Sequence, residues 1–280
     1  MTRSGAETTK AAQADSTRRG FIGAALQVAG LLGLTSRAAL GAEPPAPRRH
    51  KWGMVIDLDR CTGCQACAVA CRAENNVPVA GDRNTEKGRS IFWMNLLTVS
   101  EGAYPRTRQQ FFPTPCNHCE DPPCIKVCPV GATTQSAEGI TQQIPERCIG
   151  CRLCEVSCPY TRRYFNWSEP EWPEEWREQL NPDVAVRPHG VIEKCLFCHH
   201  RIRAAKERVR ALGRELTDDD VRRLPACAAS CPAEAIVFGD LNDPESEVSH
   251  LRESPRAFRL LEELGTRPKV VYLREAKWQE

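Results

Sequence analysis

The sequence predicts an α+β fold in which a short strand, a cysteine-bearing loop and a short helix recur, and three observations point to it. Sixteen cysteines among 280 residues fall into four groups of four. Around them, brief apolar runs alternate with turn residues at intervals too short for long helices or one large sheet. The chain is also polar, with a mean hydropathy of −0.46 and 26% charged residues. A core that thin needs cross-links or bound groups to hold it together.

The first segment is an address rather than a fold element. Residues 16–23 read Ser-Thr-Arg-Arg-Gly-Phe-Ile-Gly, and an apolar, glycine-rich run extends from Phe21 to Leu34. That run is shorter than the roughly 20 apolar residues a membrane-spanning helix requires. Small residues then lead to a cleavage point after Ala42, ahead of a proline-rich stretch. A charged start, a short apolar middle and a small-residue end are the anatomy of an export peptide. Residues 1–42 are therefore expected to be a twin-arginine signal, and the mature protein periplasmic. The segment carries a net charge of +3 against +2 for the whole chain, leaving −1 for the remainder. A near-neutral body lacks the basic footprint of nucleic-acid binding, so no nucleic-acid partner is expected.

The cysteines follow. The first quartet, Cys61, Cys64, Cys67 and Cys71, is spaced C-x2-C-x2-C-x3-C, and the third, Cys148, Cys151, Cys154 and Cys158, repeats that spacing. The second, Cys116, Cys119, Cys124 and Cys128, has a wider middle gap, and the fourth, Cys195, Cys198, Cys227 and Cys231, a long insertion. Three close-set cysteines on a tight loop wrap three corners of an iron–sulfur cube, and the fourth thiolate arrives from elsewhere in the chain. Pro129, Pro159 and Pro232 follow the last cysteines of quartets two, three and four, whereas Arg72 follows Cys71. Gly63 and Gly150 lie inside the tight loops, where their backbone can curl and turn N–H groups toward sulfur. Disulfides would not explain repeated Cys-Pro endings. Structural zinc does not call for a third cysteine at the same step. The expected cofactors are four [4Fe–4S] clusters, with one [3Fe–4S] as the alternative, since a cysteine can be present but unbound.

The remaining elements fit around these loops. Trp52–Leu58 reads as a strand before Cys61, and Gln65–Glu74 as a helix carrying Cys67 and Cys71. Gly139–Ile144, Tyr164–Asn166 and Ile236–Phe238 read as short strands beside quartets three and four. The result is an α+β fold of two ferredoxin-like halves, of the bacterial two-cluster type, with helical insertions. Residues 167–188, with Trp167, Trp172 and Trp176, read as an ordered surface loop. His200–Leu212 reads as a basic amphipathic helix stopped by Gly213, with a new helix start at Thr217, together a solvated hairpin. Pro255–Leu264 reads as a last helix and Val270–Leu273 as a last strand. His118, His199 and His200 are expected to be polar residues near the sulfurs, not ligands. Lys126, Arg147, Arg152 and Lys194 are candidate tuners of cluster potential, or equally ordinary surface charges. No Ser–His–Asp arrangement, phosphate loop or paired carboxylates stand out, so no catalytic residues are expected.

Through its quartets, residues 51–245, the chain resembles the four-cluster iron–sulfur subunits of the complex iron–sulfur molybdoenzyme family, such as those of dimethyl sulfoxide, polysulfide and tetrathionate reductases. Finer stretches are most similar to the iron–sulfur component of alternative complex III and the related quinone reductase complex. These are Asp59-Arg-Cys-Thr-Gly-Cys-Gln-Ala-Cys, Leu180-Asn-Pro-Asp-Val, Gly190-Val-Ile-Glu-Lys-Cys, Gly239-Asp-Leu-Asn-Asp-Pro-Glu-Ser and Leu260-Leu-Glu-Glu-Leu-Gly-Thr-Arg-Pro. The resemblance implies the ligand sets: Cys61, Cys64, Cys67 with Cys231; Cys195, Cys198, Cys227 with Cys71; Cys116, Cys119, Cys124 with Cys158; and Cys148, Cys151, Cys154 with Cys128. It implies one half from residues 51–105 and 190–245, another from 106–189, and a C-terminal extension, 246–280. It further implies a non-catalytic electron-transfer subunit that relays electrons between a polytopic, quinone-interacting membrane subunit of the polysulfide-reductase type and a molybdopterin-enzyme-like or multihaem cytochrome partner. In alternative complex III this module is typically fused behind a molybdoenzyme-like domain, whereas here it has its own signal. A soluble periplasmic polyferredoxin shuttle is the competing reading.

Overall fold

The computed structural model describes residues 50–79 and 81–276, so the expected signal, residues 1–42, lies outside the described residues. Strand β1 (Trp52–Asp57) enters first and leads through the first cysteine loop into helix α1 (Ala66–Glu74). A short helix α2 (Asp82–Glu86) precedes a hairpin of β2 (Asn95–Glu101) and β3 (Arg108–Thr114), paired from Asn95↔Thr114 to Glu101↔Arg108. Next come α3 (Pro123–Lys126), β4 (Thr133–Gln135), β5 (Thr141–Gln143), α4 (Leu153–Val156), β6 (Tyr164–Phe165), α5 (Glu174–Arg177) and β7 (Ile192–Glu193). The chain then forms α6 (His199–Ala211), α7 (Asp218–Val221), α8 (Ala226–Ala229), β8 (Ile236–Asp240), α9 (Glu247–Arg252), β9 (Ala257–Phe258) and β10 (Val270–Leu273).

The main sheet has the order β8-β1-β10-β9. Strand β1 is antiparallel to β8 and parallel to β10, with Met54 opposite both Phe238 and Val270. Because β1 and β10 are interior, their side chains are buried on both faces: Trp52 to Ile56 without interruption, and all of Val270 to Leu273. That explains why neither run alternates cleanly with polar residues. The small hairpins β4–β5 and β6–β7 are antiparallel two-stranded pairs that flank the cysteine loops of quartets two and three. Among the described residues no helix is long and apolar enough to cross a membrane.

Two readings of the sequence need correction. The stretch 255–264 is not a helix. Ala257 and Phe258 pair with Leu273 and Tyr272 at the sheet edge, and Leu261 takes a left-handed φ of 49°, which leaves only a single 3-10 turn at Glu262–Leu264. The helix lies earlier, at α9, where the Ser246 hydroxyl accepts a hydrogen bond from Ser249 N at 3.3 Å. The second correction concerns α6, which is more than a solvated element. His200, Ile202, Ala205 and Val209 are buried, so its inner stripe packs on the body while arginines face outward. Thr217 does open the next helix, in a capping box with Asp220.

Candidate iron–sulfur centres

All sixteen cysteines are free thiols, with no disulfide among them. They gather into four nests. In the first, Cys61, Cys64 and Cys67 line one concavity together with Cys231 and Pro232. The loop can curl there because Gly63 and Gln65 adopt left-handed φ values of 72° and 63°. The N–H of Ala235 points at the Cys231 sulfur, 3.3 Å away. Helix α1 then divides its cysteines: Cys67 faces this nest, while Cys71, one turn later, is buried against Cys195, Cys198 and Cys227. In this second nest Asn75 Nδ2 donates to the Cys198 sulfur at 3.5 Å, and Phe197 N to the Cys195 sulfur at 3.5 Å.

The third nest holds Cys116, Cys119, Cys124 and Cys158. The fourth is the loop of Cys148, Cys151 and Cys154, curled at Gly150 (φ 68°) and Arg152 (φ 59°). Thr133 connects it to Cys128: its N–H donates to the Cys128 sulfur at 3.4 Å, while its hydroxyl donates to Gln143 Oε1 at 2.8 Å and accepts from Arg163, which lies beside Cys154.

The electrostatics of the nests suit a sulfur-ligated, anionic group. Burial pushes the thiols of Cys67 and Cys124 up to about 11 and those of Cys119 and Cys195 up to about 12. Cys71 and Cys227, wholly enclosed, rise further, again because burial disfavours the thiolate. Such thiols stay protonated near neutral pH, and metal binding is what displaces the proton. Cys128 is the exception. Burial raises it, but the N–H groups of Thr133, Val130 and Ala132 together outweigh that and lower it. Arg162 is buried near Cys158 and bonds only to oxygens of Tyr160, Thr114 and Tyr164, and two more deeply buried cations meet the nests without a carboxylate. Arg163 Nη2 bonds to Thr133 Oγ1 at 2.7 Å and to Gln143, while its Nε and Nη1 have no oxygen partner. Lys194 Nζ donates only to backbone carbonyls, those of Thr141 at 2.6 Å and Cys195. Cations buried this deeply need compensating negative charge, and thiolate-ligated clusters supply it.

Comparison with known proteins agrees. Residues 52–73 match a 4Fe-4S binding domain, and residues 107–173 a 4Fe-4S dicluster domain. The chain is 50% identical over 233 residues to the iron–sulfur cluster-binding subunit of menaquinone reductase from Nitratidesulfovibrio vulgaris, covering 81% of this chain and 90% of that protein. It is 36% identical over 250 residues to the arsenate respiratory reductase iron–sulfur subunit of a Shewanella species, covering 79% and 95%. With a subunit of the tetrathionate reductase of Salmonella typhimurium it shares 35% identity over 227 residues, covering 80% and 73%.

The chain belongs to the iron–sulfur subunits of the complex iron–sulfur molybdoenzyme family. It is an electron-transfer subunit carrying [4Fe–4S] centres, not a catalytic one.

Several stretches that carry the family resemblance turn out to be structural. In Leu180-Asn-Pro-Asp-Val, Asn181 and Asn76 clasp each other. Asn181 N donates to Asn76 Oδ1 at 2.8 Å, Asn76 Nδ2 returns a bond to Asn181 O at 2.9 Å, and Asn181 Nδ2 caps Glu74 O at 2.9 Å. This holds the 167–188 segment against the end of α1. Arg72, standing where the other quartets have proline, ties the chain after α1 by donating to Pro78 O and, at 2.8 Å, to Ile91 O. In Gly190-Val-Ile-Glu-Lys-Cys, Glu193 is buried and paired with Arg187.

Of the four candidate tuners, only Lys194 is buried. Lys126 is exposed and paired with Asp121 at 2.7 Å, Arg147 is exposed, and Arg152 lies over the Trp167 ring, 4.6 Å from its centroid. Trp167 also packs edge-on against Phe165. Sequence reasoning missed Arg163, although its place five residues after Cys158 and immediately before β6 put it beside a cysteine loop. His118 does lie on the cysteine loop, but it is shut in rather than facing water. It is fully enclosed, stacks on Phe197 with centroids 3.7 Å apart, and accepts from Thr141 N at 3.1 Å. Burial, then Lys194, Lys269 and Arg163, hold its pKa well below the usual range, so it is neutral. His200 belongs to an ion-pair cluster, bonded with Arg201 to Glu74.

Proposed function

We propose that this chain is a four-cluster electron wire of two ferredoxin-like halves, working on the outer face of the cytoplasmic membrane. One half comprises residues 51–105 and 190–245, the other 106–189, with 246–280 as an extension. The ligand sets are Cys61, Cys64, Cys67 and Cys231; Cys71, Cys195, Cys198 and Cys227; Cys116, Cys119, Cys124 and Cys158; and Cys128, Cys148, Cys151 and Cys154. The observation carrying this reading is the exchange of cysteines between distant quartets: Cys231 stands with the first and Cys71 with the fourth. Such an exchange is the habit of two-cluster ferredoxins. When bound, each cluster accepts and releases a single electron. The protein's own part is to bury the centres, aim N–H groups at sulfur and set local charge.

Export through the twin-arginine segment supplies the location. The relatives' names, subunits of menaquinone, arsenate and tetrathionate reductases, support a place in a multi-subunit reductase, and the family resemblance supplies the kinds of partner. The wire therefore joins a polytopic, quinone-interacting subunit of the polysulfide-reductase type to a molybdopterin-enzyme-like or multihaem cytochrome subunit, in an assembly like alternative complex III. The test is an anaerobic redox titration followed by EPR, on protein purified gently from membranes, with an inventory of co-purifying chains. Four reducible centres with a polytopic subunit attached are expected. A lone monomer in the soluble fraction would replace the wire with a diffusing shuttle.

A further inference from the structure

Buried positive charge converges on one of the four nests. Arg163 is 2% exposed and anchored by Thr133 and Gln143, and Thr133 in turn donates to the Cys128 sulfur. Cys124 and Cys154 pack in one buried cluster, and Arg163, whose Nε and Nη1 bond to no oxygen, sits against both of their sulfurs. Lys194 is 1% exposed, and its ammonium is held by the carbonyls of Cys195 and Thr141. Thr141 bonds to His118, which sits between Cys116 and Cys119. Arg163 thus stands between the third and fourth nests, and Lys194 between the third and second. The same neighbourhoods appear in the thiols' charge environment, where both cations act on Cys124, Arg163 also on Cys154, and Lys194 also on Cys195. Only the third nest is flanked by both.

We propose that Arg163 and Lys194 are potential-setting residues that together raise the reduction potential of the centre held by Cys116, Cys119, Cys124 and Cys158, making it an electron well in the interior of the wire. This rests on the ligand sets proposed above. Reduction adds one electron, and therefore one negative charge, to a centre. A fixed cation in a water-excluded site stabilises that reduced form. The exposed Lys126, Arg147 and Arg152 are screened by solvent and do not share the role.

The test is an EPR-monitored potentiometric titration of the intact protein and of Arg163→Gln, Lys194→Gln, Arg163→Lys and Arg147→Gln. Arg163→Gln should lower two centres and Lys194→Gln two, with one centre common to both pairs. At fixed potential its reduced-to-oxidised ratio should fall at least about tenfold, which is 59 mV for a one-electron couple. Arg163→Lys should restore most of the loss, and Arg147→Gln should leave every centre unmoved, results that a merely structural role would not produce. If no centre answers to both charge removals, or if Arg147→Gln moves the centres equally, the proposal is overturned. Should Arg163→Gln lose iron, Lys194→Gln decides alone: two lowered centres support the proposal and unshifted centres overturn it. Wild-type protein without four reducible centres would overturn the four-cluster reading itself. Intact centres with unshifted variants would overturn only the role of the cations.

Discussion

Gly150→Ala is the sharpest test of how the cysteine loops are built. Gly150 lies between Cys148 and Cys151 with a φ of 68°, and a methyl group there would stand 2.3 Å from the Gly190 carbonyl oxygen and 3.1 Å from the Phe165 ring. The left-handed backbone alone costs an alanine roughly 1 kcal/mol. The clash is with backbone, so the loop must move about 1 Å, and forced repacking of that kind adds roughly 1–3 kcal/mol. The total is therefore about 3 kcal/mol, concentrated on the loop that presents Cys148, Cys151 and Cys154. Gly63→Ala is the internal comparison. Its φ is 72°, but its methyl would meet the Phe111 side chain, Cγ included, at 2.7 Å, and a side chain can swing about χ1 where the Gly190 backbone carbonyl cannot. The assay is iron per protein together with the temperature at which cluster absorbance bleaches. Gly150→Ala should lose about one cluster's worth of iron and bleach several degrees lower, since about 3 kcal/mol corresponds to roughly 6–12 °C at this size. Gly63→Ala should be affected less. Full iron and an unchanged bleaching temperature in Gly150→Ala would refute the reasoning.

Other expectations follow from the ion-pair clusters that hold the nests together. Glu74, at the end of α1, accepts from Arg201 Nε at 2.6 Å and from His200 Nε2 at 2.6 Å. Removing its charge with Glu74→Gln should cost about 2 kcal/mol, less than a fully buried pair because Arg201 is one-third exposed. Burial raises the Glu74 pKa, but the bonds from Arg201 and His200 outweigh it and hold the group below its ordinary value. Its contribution is therefore complete above the ordinary glutamate range and is lost as pH falls through the lower folded value. An acid-unfolding curve should shift upward in pH in Glu74→Gln. Arg187→Gln leaves the buried Glu193 carboxylate without its guanidinium, and also abandons the carbonyls of Asn75 and Asn76, each 2.7 Å away. A loss of about 3–5 kcal/mol is expected in denaturant titration. Asn181→Ala breaks the clasp with Asn76 and should cost about 2 kcal/mol while leaving iron content unchanged, which limited proteolysis within residues 167–188 would report. A proteolysis pattern identical to wild type would discount the clasp.

Much of the fold and the site was legible because its signals are local. The number of cysteines, their steps of three, and glycines at 63 and 150 describe loops a few residues long, where spacing dictates geometry. Strand Val270–Leu273 and the helix start at Thr217 were readable for the same reason: a β-branched run and a capping residue act on their immediate neighbours. What lay beyond the sequence was decided by long-range packing. Nothing near residues 255–264 announces that Ala257 and Phe258 will be drawn to the edge beside β10, or that β10 will lie inside the sheet next to β1. Nothing local separates Arg163 and Lys194, enclosed among sulfurs, from Arg147 and Arg152, which face water. The sequence by itself determined that the chain presents sixteen cysteines in four quartets suited to iron–sulfur centres. Only the tertiary structure decided which distant cysteines meet and which charges are shut in with them, because burial depends on contacts between segments tens of residues apart for Arg163 and Lys194 and more than a hundred for Cys71 and Cys231.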